Sequence, residues 1–295
     1  QMGKLLLKFL TLFKKILVNQ GIDFNKMVAI VEVKLTMDKR RVRINTNQQK
    51  EKKDSNNRLT VVLFIYGLMG LFIGILMYQL RDIVLAMIIA HAYIIFMMAM
   101  TLITDFSSVL LDTTDLQILS PKPISAKTLV TARIIHILIY ITEFTIALSI
   151  VPLMFTILKY GIITAIAMVF TIALTVLFTV FITYFFYLLL MRFVSEEKVK
   201  NVITYFQIVM TIFFALAYQL LPRILNLEVL KMSFTLKWYT YFLPPVWMAK
   251  TVESFTFFKF DTLHLIMIAL SFTVPILSFI SINKYLAPVF ARKLS

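Results

Sequence analysis

The sequence predicts an all-α, polytopic membrane fold: six transmembrane helices, an N-terminal amphipathic helix at the inner surface and a re-entrant external aromatic segment. Three observations carry that prediction. The 295 residues are 60% hydrophobic and 15% charged, with mean hydropathy +0.87, whereas soluble domains are about half apolar and about a quarter charged. Six apolar stretches, 59–80, 83–103, 129–158, 162–190, 202–221 and 263–282, reach the ~20 residues that cross a ~30 Å hydrocarbon core as helix. The basic residues between these stretches, finally, are shared out unequally.

The chain carries 30 Lys and Arg against 15 Asp and Glu, a formal charge of +15. With the N-terminus placed inside, the outer segments hold only Arg81, Lys159, Arg223, Lys231, Lys237, Lys250 and Lys259. The remaining basic residues fall inside, as the positive-inside rule requires. Both termini are then expected in the cytoplasm of a bacterial cell, with the chain multi-pass in its inner membrane. Anionic inner-leaflet lipid accounts for the basic flanks, so no nucleic-acid partner is expected. Without cysteine there is no disulfide or thiolate metal site, and no metal is expected. Residues 1–20 lack a small-residue cleavage site and scatter lysines, so no secretory signal is read there. A Gln ahead of Met2 reads as an added or trimmed end.

Residues 1–58 form a basic lead. Leu5, Phe9, Leu12, Phe13 and Ile16 recur at helical spacing with Lys4, Lys8, Thr11 and Lys15 mostly opposite, the pattern of a helix lying in the membrane interface. The stretch 27–37 is expected to be a second helix of the same kind, and the polar run 45–57 a linker. Residues 59–283 form the transmembrane domain and 284–295 a cytoplasmic tail. Arg81-Asp82 and Lys159-Tyr160-Gly161 are short external turns, and Pro152 is the expected kink site in the third helix. The external segment 222–262 holds Trp238, Tyr239, Tyr241, Phe242, Trp247, Phe255, Phe257 and Phe258. Aromatics of this kind settle at the headgroup level, so the segment is expected to fold back onto the outer leaflet.

The cytoplasmic loop 104–128 is the first candidate site. Asp112, Thr113, Thr114 and Asp115 precede Leu116–Leu119, then Ser120-Pro121-Lys122-Pro123-Ile124-Ser125. Thr113 or Thr114 can cap a short helix with Asp115 in its first turn. Pro121 ends that helix, Pro123 stiffens the exit, and Ser125 can cap the third transmembrane helix. Such a helix, joined stiffly to two spans, transmits a push instead of absorbing it; an ordinary interhelical connection would look similar.

The run TTDLQILSPKPISAKTLVTARI resembles the signature of type-2 ATP-binding-cassette (ABC) exporter permeases, an acidic residue, two leucines, P-I-S and a helix opening on a basic residue. Asp115, Leu116, Leu119, Pro123, Ile124, Ser125 and Arg133 carry the match. YFLPPVWMAK (241–250) resembles the aromatic-Pro-Pro-x-Trp element before the last helix of such permeases. VEVKLTMDKRR (31–41) is similar to the pre-membrane segment of a Firmicute-type subgroup. The likeness covers most of the chain. It implies a coupling helix seated on a separate ABC ATPase subunit, with Asp112, Thr114, Asp115, Leu116, Leu119, Pro121, Pro123 and Ile124 at the contact. It also implies a second permease copy or paralogue, and an external gate at Tyr241, Pro244, Pro245 and Trp247. Some members of that subgroup run longer after a segment like LAPVFARKLS, so a truncated form or a compact half-transporter is expected. These residues contain no G-x-x-x-x-G-K-[ST] run, and a phosphate cradle needs one. No cofactor is therefore expected in this chain, ATP and Mg belonging to the partner, and no enzymatic activity of its own.

A second constellation lies within the spans. Arg133, His136, Tyr140 and Glu143 step by three, four and three, so they share a helix face. Glu143 sits deep in a span, where charge is costly and faces a cavity or a partner. With His136, Tyr140 and His91 it marks a translocation path, a proton relay, or a polar contact that holds the bundle together. Glu196-Glu197 with Phe260-x-x-x-His264 is similar in order to a prenyl-protease-like family, but position 201 is Asn and no further His motif follows. His264 is expected to be interfacial. The sequence thus points to a transport subunit moving amphipathic or lipophilic cargo. A proton-coupled carrier using Glu143 and His91 is the alternative, and a membrane hydrolase comes third.

Overall fold

The computed structural model describes residues 14–19, 21–41, 55–109, 124–193, 233–235 and 237–281, with isolated positions at 7, 10 and 11 and between 201 and 219. Regular structure among them is entirely helical: α1 (Lys14–Asn19), α2 (Phe24–Arg41), α3 (Ser55–Gln79), α4 (Ile83–Val109), α5 (Ala126–Tyr160), α6 (Ile162–Phe193), a 3-10 turn (Trp238–Phe242), α7 (Pro244–Phe257) and α8 (Thr262–Ser281). Five of these, α3, α4, α5, α6 and α8, are long and apolar enough to cross a membrane, which makes the architecture that of a multi-pass membrane protein. They coincide with five of the six predicted stretches to within a few residues. The sixth stretch, 202–221, lies outside the described residues except at scattered positions, as do most of the lead's first helix, most of the linker and the tail.

Short local signals set the ends of these helices. The side chain of Asp82 accepts from the backbone N–H of Val84 at 2.7 Å, an N-cap that starts α4. Lys159, near the end of α5, donates its ammonium to the carbonyls of Met77 (3.2 Å), Tyr78 (2.8 Å) and Leu80. It thereby satisfies carbonyls at the end of α3 that have no helical partner, and its charge complements the helix dipole. The α3–α4 and α5–α6 turns are thus stitched together at one end of the bundle. Gly161 ends α5 with φ +90°, a conformation that a side chain would strain.

α3 and α5 form the closest helix pair. A Cβ at Gly70 would overlap the carbonyl oxygen of Leu148 and come within 3.4 Å of Pro152, and one at Gly74 would come to 2.5 Å from the ring of Phe155. Glycines four apart let two membrane helices approach backbone to backbone. Pro152 sits inside α5 at this contact, and the helix continues through it to Tyr160.

α2 was expected to lie on the lipid surface. Instead its apolar stripe, Phe24, Met27, Ile30 and Val31, is buried against Ala132, Ile135 and Ile139 of α5. A protein groove of matching pattern covers the stripe more completely than a headgroup layer, because it removes apolar area from water on all sides. The start of α2 is fixed as well: the backbone N–H of Asp23 donates to Thr128 Oγ1 at 3.1 Å.

α6 places Thr171, Thr175, Thr179 and Thr183 on one buried stripe. Each hydroxyl reaches the carbonyl four residues back, at 3.2, 2.8, 2.8 and 2.8 Å, so the polar groups are satisfied within their own helix. α7, short and largely buried, packs against α4, α6 and α8.

Candidate functional site

Of the loop residues expected to meet an ATPase, Asp112, Thr114, Asp115, Leu116, Leu119, Pro121 and Pro123 lie outside the described residues. Ile124 is partly buried on the α2–α5 cluster. Ser125 is the N-cap of α5, as its position in the sequence predicts, and accepts from Thr128 N at 3.2 Å. Its Oγ also lies 2.8 Å from Thr128 Oγ1, the atom that holds Asp23. The exit of the loop, the first turn of α5 and the start of α2 therefore share one hydrogen-bonded joint.

The intramembrane residues divide. His136 and Glu143 are buried on α5, while Arg133 and Tyr140 are half-buried on the same helix. The ring of Tyr140 lies 4.8 Å from that of Phe144, and Phe144 lies 5.0 Å from Tyr66 of α3. Tyr66 OH is in turn 2.6 Å from Thr101 Oγ1 of α4. This aromatic chain, one residue from Glu143, joins three spans. His91 is engaged elsewhere: Nδ1 lies 2.8 Å from the carbonyl of Met87, and Nε2 2.9 Å from Thr171 Oγ1 on α6. A carbonyl only accepts, so Nδ1 carries a proton. Nε2 faces the Thr171 hydroxyl, whose single proton is shared between the ring and the carbonyls of its own helix, so both nitrogens are engaged.

The expected external gate forms the entry to α7. Pro244 and Pro245 open this helix, where missing N–H groups cost nothing. Trp247 is buried; its indole N–H donates to the carbonyl of Tyr241 at 2.6 Å, and its ring meets Phe178 of α6 at 6.5 Å. The expectation that this segment rests on a leaflet is corrected for α7. Val246, Trp247, Met248, Ala249, Thr251, Val252, Glu253 and Ser254 are all buried among neighbouring helices, while Trp238 and Phe242 just before it are exposed. The aromatic composition described the exposed part and concealed the buried one.

The sequence reading missed an ion cluster at the α7–α8 turn. Glu253, buried on α7, takes the ammonium of Lys250 at 2.6 Å and that of Lys259 at 3.3 Å. His264 of α8, expected to be interfacial, is buried with Nε2 3.3 Å from Glu253 and Nδ1 on the carboxylate of Asp261. Burial alone would raise the pKa of the Glu253 carboxyl and favour its neutral form. The hydrogen bond and charge of Lys250, with His264 and Lys259, outweigh it and hold the carboxyl below the usual range. Asp261 is also held low, chiefly by its bond to His264. One signal lay in the sequence: Lys250, Glu253 and Ser254 share the α7 face that meets α8. Among the described residues, no group of three or more His, Cys, Asp or Glu side chains is placed to hold a metal ion.

No protein-family model, curated protein or solved structure matches the chain.

Proposed function

We propose that this chain is the transmembrane permease subunit of an ATP-driven exporter of the type-2 ABC kind. It moves amphipathic or lipophilic cargo with energy from a separate ATPase subunit, beside a second permease copy or paralogue in the inner membrane. The observation that carries this reading is the joint at Ser125. Force applied to the loop enters α5 through a capped first turn, and Asp23 ties α2 to the same turn. α5 has 35 residues, about 52 Å of helix. A push therefore reaches His136, Tyr140 and Glu143 through a rod instead of a hinge. The likeness of the loop to a coupling helix and the missing phosphate loop give the same division of labour.

Two finer features of the topology belong to this proposal. Phe234 N–H donates to Asp82 at 2.5 Å, beside the α3–α4 turn, while Phe193 ends α6 at the opposite side of the bundle. We assign the sixth span to 202–221, the apolar stretch long enough to join these two ends. α7 in turn has both flanks at one end: Phe234 at Asp82, and Thr256, whose hydroxyl donates to Thr164 at 3.0 Å. Its start, at Trp247, meets Phe178 far along α6. With 14 residues, about 21 Å, it is too short to span, so a re-entrant hairpin that dips in from the outer side fits.

A proton-coupled carrier is favoured by one observation, the burial of Glu143. Its proposed relay partner His91 already spends both ring nitrogens on Met87 and Thr171, which leaves the relay short of a member. Mild-detergent purification of the chain from its native membrane, with mass spectrometry, separates the readings. A stoichiometric ATPase that is lost on Leu116→Asp supports the permease. A chain that emerges alone, and whose transport stops when the proton gradient is collapsed, supports the carrier.

A further inference from the structure

We propose that His264 is a proton-operated clasp that fastens α7 to α8: closed when the imidazole carries two protons, opened when it loses one. The proposal goes beyond the permease reading and does not depend on it. Its basis is the position of the ring, with Nδ1 on Asp261 Oδ1 and Nε2 3.3 Å from Glu253 Oε2. Ionised carboxylates only accept hydrogen bonds, and a neutral imidazole has one N–H. Only the imidazolium satisfies both carboxylates. Loss of one proton turns a nitrogen lone pair toward a carboxylate oxygen, which replaces an attraction with a repulsion at a buried ring, with Glu253 buried and Asp261 exposed.

The surroundings make this a switch instead of a permanent brace. Charged groups facing the ring from α7 and the turn are Glu253, Asp261 and, through Glu253, Lys250 and Lys259. α6, which also packs on α8, carries no ionisable side chain before Tyr184. Both carboxyls are held below their usual range, and lysines stay charged well above neutrality. Of the side-chain types in the cluster, histidine is the one suited to act as a switch near neutral pH. On opening, Glu253 keeps its two lysines and is not abandoned. The α7–α8 hairpin keeps a second tie farther from the turn, Thr251 Oγ1 to Ser271 Oγ at 2.8 Å. The turn can thus loosen about that pin without the hairpin coming apart.

The test uses the full chain in nanodiscs. It contains three histidines and no cysteine, so 15N-histidine signals are few and introduced thiols are unique. Nitroxides are placed on Phe257→Cys and Leu265→Cys, both exposed positions. At pH 5.5 His264 is expected to show two protonated nitrogens and the spin pair one narrow distance. At pH 8.5 one nitrogen is expected to lose its proton and the distance distribution to broaden or lengthen. His264→Gln is expected to give the open distribution at both pH values. A neutral His264 at pH 5.5, an unchanged wild-type distance between the two pH values, or a pH response that survives in His264→Gln overturns the clasp. If His264→Gln does not insert, the two wild-type measurements decide alone.

Discussion

Gly70 of α3 lies against the backbone of Leu148 in α5 so closely that a Cβ at position 70 would overlap the Leu148 carbonyl oxygen. No flexible side chain is there to move aside. Gly70→Ala is therefore expected to destabilise the bundle by about 1–3 kcal/mol, the range for overpacking a tight contact. Gly67→Ala, where the nearest atom is 3.9 Å away, is expected to be neutral. Thermal unfolding of the two variants in detergent distinguishes them, and equal midpoints would refute the contact.

The joint at the start of α5 predicts two losses of different kind. Ser125→Ala removes an N-cap and is expected to cost about 1 kcal/mol. Thr128→Val keeps the shape but removes the acceptor for Asp23 N–H, so α2 should come loose while α5 stays folded. Hydrogen exchange at residues 24–31 is expected to rise in Thr128→Val more than in Ser125→Ala.

Lys159 serves three carbonyls at the end of α3. Lys159→Met retains the stem and deletes the donors. Hydrogen bonds to a charged group contribute about 1.5–3 kcal/mol each, but exposure of the turn lets water replace part of them. A net loss of about 1–3 kcal/mol in unfolding free energy is expected, with protease sensitivity appearing first near residues 79–82. A variant as stable as the wild type would show that water serves those carbonyls equally well.

Glu253 gives a pH dependence with a definite sign. Its carboxyl is held below the usual value of 4.5, so it binds fewer protons folded than unfolded at moderately acid pH. The stability it contributes is fully present above that value and is lost as the pH falls through the lower, folded one. The difference in melting midpoint between wild type and Glu253→Gln is expected to shrink as the pH falls below the usual carboxyl value and through the lower, folded one. A difference that grows on acidification contradicts the ion cluster.

Reading the spans from sequence succeeded because a helix in hydrocarbon must be long, apolar and internally bonded, and α3, α4, α5, α6 and α8 state all of this locally. Ser125 was legible for the same reason, a capping residue just ahead of an apolar run. The Gly70–Gly74 spacing was equally local and simply went unread. α7 was hidden. Its prolines and aromatics describe an interfacial turn, whereas its burial depends on α4 and α6, more than fifty residues earlier in the chain. The partners of His264 were concealed differently, because Glu253 lies across a turn whose geometry brings residues eleven apart into contact.

The threonine stripe of α6 has a mechanical consequence. Because Thr175, Thr179 and Thr183 bond to their own helix, they ask nothing of the helices beside them. A neighbour could travel lengthwise along this rail without orphaning a hydroxyl. Among the described threonines of α6, Thr171 meets His91 of α4 and Thr164 meets Thr256 of α7, and these contacts help to fix the register of that face. α6 therefore offers α4 and α7 a low-friction track, with one detent for each.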